Sequence, residues 1–365
     1  MIDFFAHNCY NSYDNRGILA KGGSNMDFFP SVLGNTETKA RLGQAILQNA
    51  FPHAFIIEGP QGCGKHTLAL ALSAALNCQK RDGASFPCGV CDTCRRIFKK
   101  NFVDVKYLSK KDGKNTIGVE DIRLMKEDIY LSPTESAYKI YIVEQAQVMT
   151  PQAQNALLKI FEEPPSGVVI FLLCDSIQQI LSTIKSRAQL VRMERLGDDV
   201  VKNALAGDNE LASAATASPE AFTAAVKLSH GSIGRAKEML SGDGRAEIAE
   251  ERALVIRLLS LLIPGKERFP LYSALQDLPQ KRNEFSRALL MVLDGLRDLI
   301  LSKYTEQAAL LFYTDRKEVS ELASRIGYAR LFRFYDAFTD ARNKSEKNGN
   351  MTAVMAELSA IVTRV

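Results

Sequence analysis

Two kinds of hydrophobic pattern divide this chain near residue 195. Before that point short unbroken apolar runs alternate with amphipathic stretches; beyond it only helical periods remain. The runs Phe55–Glu58, Tyr138–Val143 and Val168–Cys174 have the length and side chains of buried strands. Helices are expected over Thr36–Asn49, with Thr36 or Thr38 as N-cap, and through Leu68, Leu70, Leu72 and Leu76. Further helices open at Ile117–Arg123 and at Thr150–Pro151, where threonine caps and proline takes the first helical position. Alternating strands and helices predict an α/β core.

After Arg195, Gly197-Asp198-Asp199 breaks this pattern, and short helices run to about Leu240. Ser241-Gly242-Asp243-Gly244 reads as a hinge, since glycine costs a helix about 1 kcal/mol relative to alanine. The remainder is helical. Phe285, Leu289, Val292, Leu296 and Leu299 form one apolar stripe, Leu331, Tyr335 and Phe338 another, and Met351, Val354, Met355, Leu358 and Ile361 the last. Such stripes are core or subunit-packing faces. Residues 1–25 are polar and aperiodic, which predicts a tail, and Met26-Asp27-Phe28-Phe29 partly repeats Met1-Ile2-Asp3-Phe4-Phe5, making Met26 a candidate start. No internal repeat of domain size occurs.

Composition narrows the class. At 46% hydrophobic and 24% charged residues this is an ordinary globular composition, and 365 residues suffice for two or three domains. No apolar run reaches the ~18 residues of a membrane span, and no basic segment leads into an apolar one, so the expectation is a cytoplasmic protein without membrane partners. The net charge of +4 excludes a wholly electrostatic nucleic-acid binder. Any DNA contact must be local.

Phe55 to Thr67 runs strand, glycine-rich turn, helix start, the context of a phosphate-binding loop. Gly59, Gly62 and Gly64 let backbone N–H groups turn inward, and Lys65 can neutralise a terminal phosphate of ATP or ADP. In this motif Ser or Thr normally follows the lysine and coordinates magnesium. Here His66 follows, with Thr67 one position late, which puts metal coordination in question. In P-loop ATPases the strand corresponding to Tyr138–Val143 ends in an acid that holds magnesium, followed by a glutamate that polarises the attacking water. Those positions are Glu144 and Gln145, and a carboxamide is no general base.

Cys78, Cys88, Cys91 and Cys94 follow the pattern C-x9-C-x2-C-x2-C, four soft ligands able to close a structural zinc site with no position open for a catalytic water. The alternatives are a disulfide pair or unrelated free thiols. Cys63 is either oxidation-sensitive or simply a small residue in the loop, and Cys9 and Cys174 are scattered. A basic run follows: Arg95, Arg96, Lys99, Lys100, Lys106, Lys110, Lys111 and Lys114. Its default reading is a solvated face, its alternative a contact for DNA phosphate or an acidic partner.

Gln154-Asn155-Ala156-Leu157-Leu158-Lys159-Ile160-Phe161-Glu162-Glu163-Pro164-Pro165 closely resembles the Asn-Ala-Leu-Leu-Lys-x-x-Glu-Glu-Pro-Pro signature of bacterial clamp-loader ATPase subunits. Ser186-Arg187-Ala188 is similar to that family's Ser-Arg-Cys motif, with alanine for cysteine. Loop, cysteine knob, signature helix and Ser-Arg motif fall in family order between Met26 and about Arg195.

The resemblance implies a P-loop AAA+ core over residues 26–195 with a zinc knob at 78–94, a helical lid domain over 196–243, and an all-α collar over 244–365 that oligomerises a ring. It implies gamma/tau and delta subunits as partners and, through the complex, the sliding clamp and primer-template DNA. Arg187 would then be an arginine finger supplied in trans to a neighbour's ATP site. With its own hydrolytic positions altered, the chain resembles the delta-prime member of the family; the gamma/tau motor is the alternative, and an independent P-loop nucleotide kinase a more distant one. Leu228–Ala236 resembles the lid segment whose arginine approaches nucleotide, with Arg235 one position displaced, and Asn348-Gly349-Asn350 resembles the collar ending. His230 reads as a surface or capping residue rather than a ligand.

Overall fold

The computed structural model describes residues 26–80, 85–111, 114, 116–208, 211, 219–265, 268–305, 309–346 and 349–364. The expected tail therefore lies outside the described residues. Five parallel strands form the core sheet in the order β4-β5-β6-β2-β7: β2 (Ala54–Glu58), β4 (Val105–Leu108), β5 (Lys139–Val143), β6 (Val168–Cys174) and β7 (Gln189–Arg192). Ala54 is in register with Ile170 and Glu58 with Cys174 on one side of β2, and Glu58 with Arg192 on the other.

The two-residue period of a strand sorts the core into two layers. Phe55, Ile57, Val169, Phe171 and Leu173 face α1 (Thr36–Leu47) and α2 (Lys65–Leu76). Ala54, Ile56, Val168, Ile170 and Leu172 face the opposite way, with buried residues of α4 (Val119–Ile129), α5 (Pro151–Glu162) and α6 (Ser182–Lys185). Every residue of β6 is buried, as its central place requires. The first helix is preceded by Asn35 in left-handed backbone rather than capped by a threonine; the Asn35 side chain instead accepts from Glu194 N–H at 2.9 Å.

A two-stranded parallel pair lies beside this core: β1 (Asp27–Phe28) and β3 (Ser85–Phe86). Phe28 packs so closely on α1 that a Cβ at position 43 would fall 2.0 Å from its ring, which is why that helix carries Gly43. Helix α3 (Asp92–Phe98) follows β3.

The rest is helical: α7 (Asp198–Ala206), α8 (Pro219–Leu228), α9 (Ile233–Leu240), α10 (Gly242–Leu261), α11 (Arg268–Gln276), α12 (Arg282–Ser302), α13 (Arg316–Ser324), α14 (Tyr328–Glu346) and α15 (Met351–Arg364). Among the described residues no helix is long and apolar enough to cross a membrane. The expected glycine hinge is not an open linker: α10 begins at Gly242, and Ser241 ends one helix and starts the next. The α14 stripe is rotated from the sequence expectation. Leu331, Phe334 and Phe338 are fully buried, whereas Tyr335 is 37% exposed, and in α15 Val362 rather than Ile361 faces inward.

Helices α8 and α9 contribute Phe222, Val226 and Ala236 to a small core with α7, and Ala225, Leu228 and Met239 to the larger C-terminal core. His230 is no surface residue. Its Nε2 lies 2.7 Å from Asp294 Oδ2, both side chains nearly buried, so a polar pair ties the α8–α9 turn to α12. Asp298, wholly buried, accepts from Leu311, Phe312 and Tyr313 N–H at 3.0, 2.8 and 3.1 Å and fixes that loop against the bundle. Replacing it strands three backbone donors, two of them buried. Asp298→Ala should destabilise the chain by about 3 kcal/mol, read as a lower urea midpoint; an unchanged midpoint would show the loop is held by other contacts.

Candidate functional site

The parallel pairing brings the carboxyl ends of β2, β5 and β6 together, the position where open α/β sheets place their ligands. Gly59 N–H donates to Cys174 O at 3.2 Å, Gly62 and Gly64 adopt φ of +81° and +94°, and Gly64 precedes α2. A Cβ at position 62 would lie 2.1 Å from Ser232 Oγ, so the loop is pressed against the N-cap of α9. Only glycine fits there.

Lys65 is folded into this loop. Its ammonium donates to Gly59 O at 2.5 Å, Pro60 O at 3.0 Å and Asp175 Oδ1 at 2.8 Å. Asp175 follows the last residue of β6 and accepts from Gln147 Nε2 at 3.3 Å on its other oxygen. One helical position on, His66 Nε2 lies 3.0 Å from Glu144 Oε1, and its ring stacks 6.1 Å from that of Tyr107. The imidazole holds the Glu144 carboxyl below the usual range against the opposing effect of burial. Burial, then the Glu144 charge, pushes the Tyr107 phenol up to about 12. Thr67 is half-buried in the first turn of α2, and Gln145 is exposed in left-handed backbone at φ +53°. The structure thus unites Gly59, Gly62, Gly64, Lys65, His66, Thr67 and Glu144 at one strand end. Cys63 is buried beside them, and burial raises its thiol, which disfavours thiolate chemistry.

The sulfurs of Cys78, Cys88, Cys91 and Cys94 all lie within 4.8 Å of one another, with Cys88 and Cys94 Sγ 3.9 Å apart. Tetrahedral zinc with Zn–S of about 2.3 Å separates its thiolates by about 3.8 Å, so this donor set could hold that ion. Cys91 N–H and Cys94 N–H approach the sulfurs of Cys88 and Cys91 at 3.4 and 3.5 Å, orienting both as acceptors. Burial opposes it, but backbone hydrogen bonds bring the Cys88 thiol down to about 7, whereas burial raises the thiols of Cys78 and Cys94.

Arg187 occupies the turn after α6. Its Nη1 donates to Thr183 O at 3.0 Å and Ser186 Oγ at 3.2 Å, and its Nη2 lies 2.9 Å from Glu162 Oε1, with the arginine side chain 37% exposed. Glu162 ends α5, so the two similarity-bearing segments meet in an ion pair. Behind them, buried Gln154 donates to Met149 O at 3.3 Å and Gln179 O at 3.0 Å and accepts from Leu181 N–H at 2.8 Å. It locks the segment leading into α6. Ala188 is buried beneath the turn.

Other expectations resolve differently. Arg235 is mostly buried without a hydrogen-bond partner for Nε or one Nη, and the charges that act on it, Asp294, Arg287, Glu251 and Arg342, belong to the C-terminal helices. In the basic run Arg96 makes two bonds to Glu135, at 2.8 and 2.7 Å, and Lys111 pairs with buried Asp121 at 2.8 Å. The sequence reading gave no role to Asp175 and named Ser232 and Gln154 only inside segments of family resemblance. The rule that ligands gather at strand carboxyl ends would have found Asp175, which directly follows a recognised strand; nothing in the sequence pattern singles out Ser232.

Residues 34–197 match the family described as "DNA polymerase III, delta subunit". Over 326 residues the chain is 27% identical to the DNA polymerase III subunit gamma/tau of Mycobacterium tuberculosis, covering 84% of this chain and 56% of that protein. It is 31% identical over 177 residues to the DNA polymerase III subunit tau of Escherichia coli, 48% of this chain and 27% of the other. Among solved structures, a DNA polymerase III gamma subunit-related protein of Thermotoga maritima matches at 20% identity and a TM-score of 0.38, covering 89% of this chain and 98% of that one. The chain thus spans at most a little over half the length of these two curated relatives. Residues 34–197 are thus similar to the DNA polymerase III delta-subunit family, and the longer alignment is similar to subunits named gamma/tau.

Proposed function

We propose that the chain is a delta-prime-like AAA+ subunit of the clamp loader that does not hydrolyse ATP itself. In the assembled ring it supports ATP-dependent loading of the sliding clamp onto primed DNA by lending Arg187 to an adjacent subunit's ATP site. Its partners are then gamma/tau and delta subunits in the cytoplasm, with the core carrying a zinc knob, helices α7 to α9 serving as a lid and α10 to α15 as a collar.

The contact between His66 and Glu144 carries this reading. These are the two positions that in a hydrolytic P-loop protein hold magnesium between hydroxyl and carboxylate. Here the hydroxyl is replaced by an imidazole, whose nitrogen lies 3.0 Å from the carboxylate and is a poor ligand for magnesium, an ion that prefers oxygen. Gln145 adds no base at the next position. Arg187, by contrast, is intact and near the surface. Its half-exposed pair with Glu162 is worth ~0–1 kcal/mol, so a phosphate presented by a neighbour can take the guanidinium over at little cost.

The gamma/tau reading remains as an alternative because the curated relatives reported above carry that name. Turnover separates the two. The purified chain should show no steady ATP hydrolysis, and sustained turnover by the chain alone would identify a motor subunit instead. Within a reconstituted complex, Arg187→Ala should slow the one site it completes by about 10³-fold or more and lower total turnover by that site's share. An unchanged rate in a complex that still assembles would reject the trans role.

For the knob, elemental analysis of chain purified without chelator should give one zinc per chain. Cys94→Ser should lose that zinc and open the 78–94 segment to protease, because metal binding is what holds so small a unit together. A zinc-free, protease-resistant native chain would contradict this assignment.

A further inference from the structure

The ammonium of Lys65 has three N–H groups, and all three are already committed, to Gly59 O, Pro60 O and Asp175 Oδ1. None is free for a phosphate oxygen. We infer that Asp175 is an affinity-setting residue of the phosphate loop: its carboxylate stands in for the phosphate on Lys65, and a nucleoside di- or triphosphate must displace it to bind.

The geometry around this pair supports the inference. Asp175 directly follows β6, whose in-register pairing with β2 sets it beside the loop that opens at Gly59. Gln147 holds its second oxygen at 3.3 Å, so the carboxylate is braced rather than free to swing away. Lys65 is 12% exposed and Asp175 53% exposed, so the carboxylate is the more open to solvent of the two. Two further contacts of the chain lie beside this pair. Ser232 Oγ presses on Gly62, where a side chain would lie 2.1 Å away, and His66 meets Glu144 where a metal would bridge. An entering anion therefore also encounters a negative charge that remains after displacement, which weakens phosphate binding beyond the loss of one hydrogen bond.

The inference rests on the reading of residues 59–67 as a phosphate loop, and its test separates the two. ADP and ATP are titrated calorimetrically into the full chain and into Asp175→Asn, which keeps the shape and removes the charge. Asp175→Ser is the second variant, in case the amide finds a new partner. Both variants should bind ADP at least about tenfold more tightly than the unaltered chain. Adding Lys65→Ala to either should abolish the gain, since the gain runs through the released ammonium. Equal or weaker ADP binding by both variants overturns the inference. Absence of ADP binding by the unaltered chain and both variants refutes the phosphate-loop reading and the inference with it, whereas measurable binding without tightening refutes only the role of Asp175; ATP hydrolysis by the unaltered chain would refute the non-hydrolysing assignment alone.

Discussion

The position of β2 between β6 and β7 is the constraint on which the site depends. A parallel sheet must bury both faces, so the chain leaves each strand at the same edge and returns by a helix. That edge collects Gly59, Glu144 and Asp175 from three strands separated by long stretches of sequence, and aims α2 with Lys65 at its start into the same space. Register decides the rest. A one-residue slip of β6 against β2 would exchange Val169, Phe171 and Leu173 with Ile170 and Leu172 between layers and carry Asp175 away from Lys65.

Within that frame several ionisable side chains of the site pair with one another inside the chain. Lys65 answers to Asp175, His66 to Glu144, and Arg187 to Glu162. The pairs differ in exposure, and that difference separates their roles in the proposed function. Lys65 is shielded and fully bonded, which suits a loop that holds its shape. Arg187 is near the surface and paired with an exposed partner, which suits a side chain that changes partners when another subunit docks. Gln154 supplies the rigidity such an exchange needs, because its three hydrogen bonds fix the backbone leading to the arginine's turn.

The α/β order and strand–loop–helix were legible because buried strands and glycine turns carry their own local signals. Phe55–Glu58, Tyr138–Val143 and Val168–Cys174 each match an observed strand within a residue of its ends. The cysteine cluster was legible for a similar reason: two x2 steps close on themselves, and only Cys78 had to be brought in by the fold. What was hidden depends on distant packing. His230 finds Asp294 far along the chain, and neither residue's neighbours announce it. The α14 face could not be fixed from spacing, because Tyr335 and Phe334 are both compatible with a period of 3.6 and only the partner helices choose Phe334. The short strands β4 and β7 carry too few apolar residues to stand out from loops, and β1 and β3 exist only as a pair.

The central claim is that this chain gives its arginine to a neighbour rather than running its own ATP site. A structure of the assembled clamp loader bound to a non-hydrolysable ATP analogue tests it most directly. The account predicts the guanidinium of Arg187 within hydrogen-bonding distance of the adjacent subunit's terminal phosphate, released from Glu162, while His66 and Glu144 of this chain stay in contact. Arg187 still paired with Glu162 and remote from every bound nucleotide, with magnesium held between Glu144 and a nucleotide on Lys65, would contradict it.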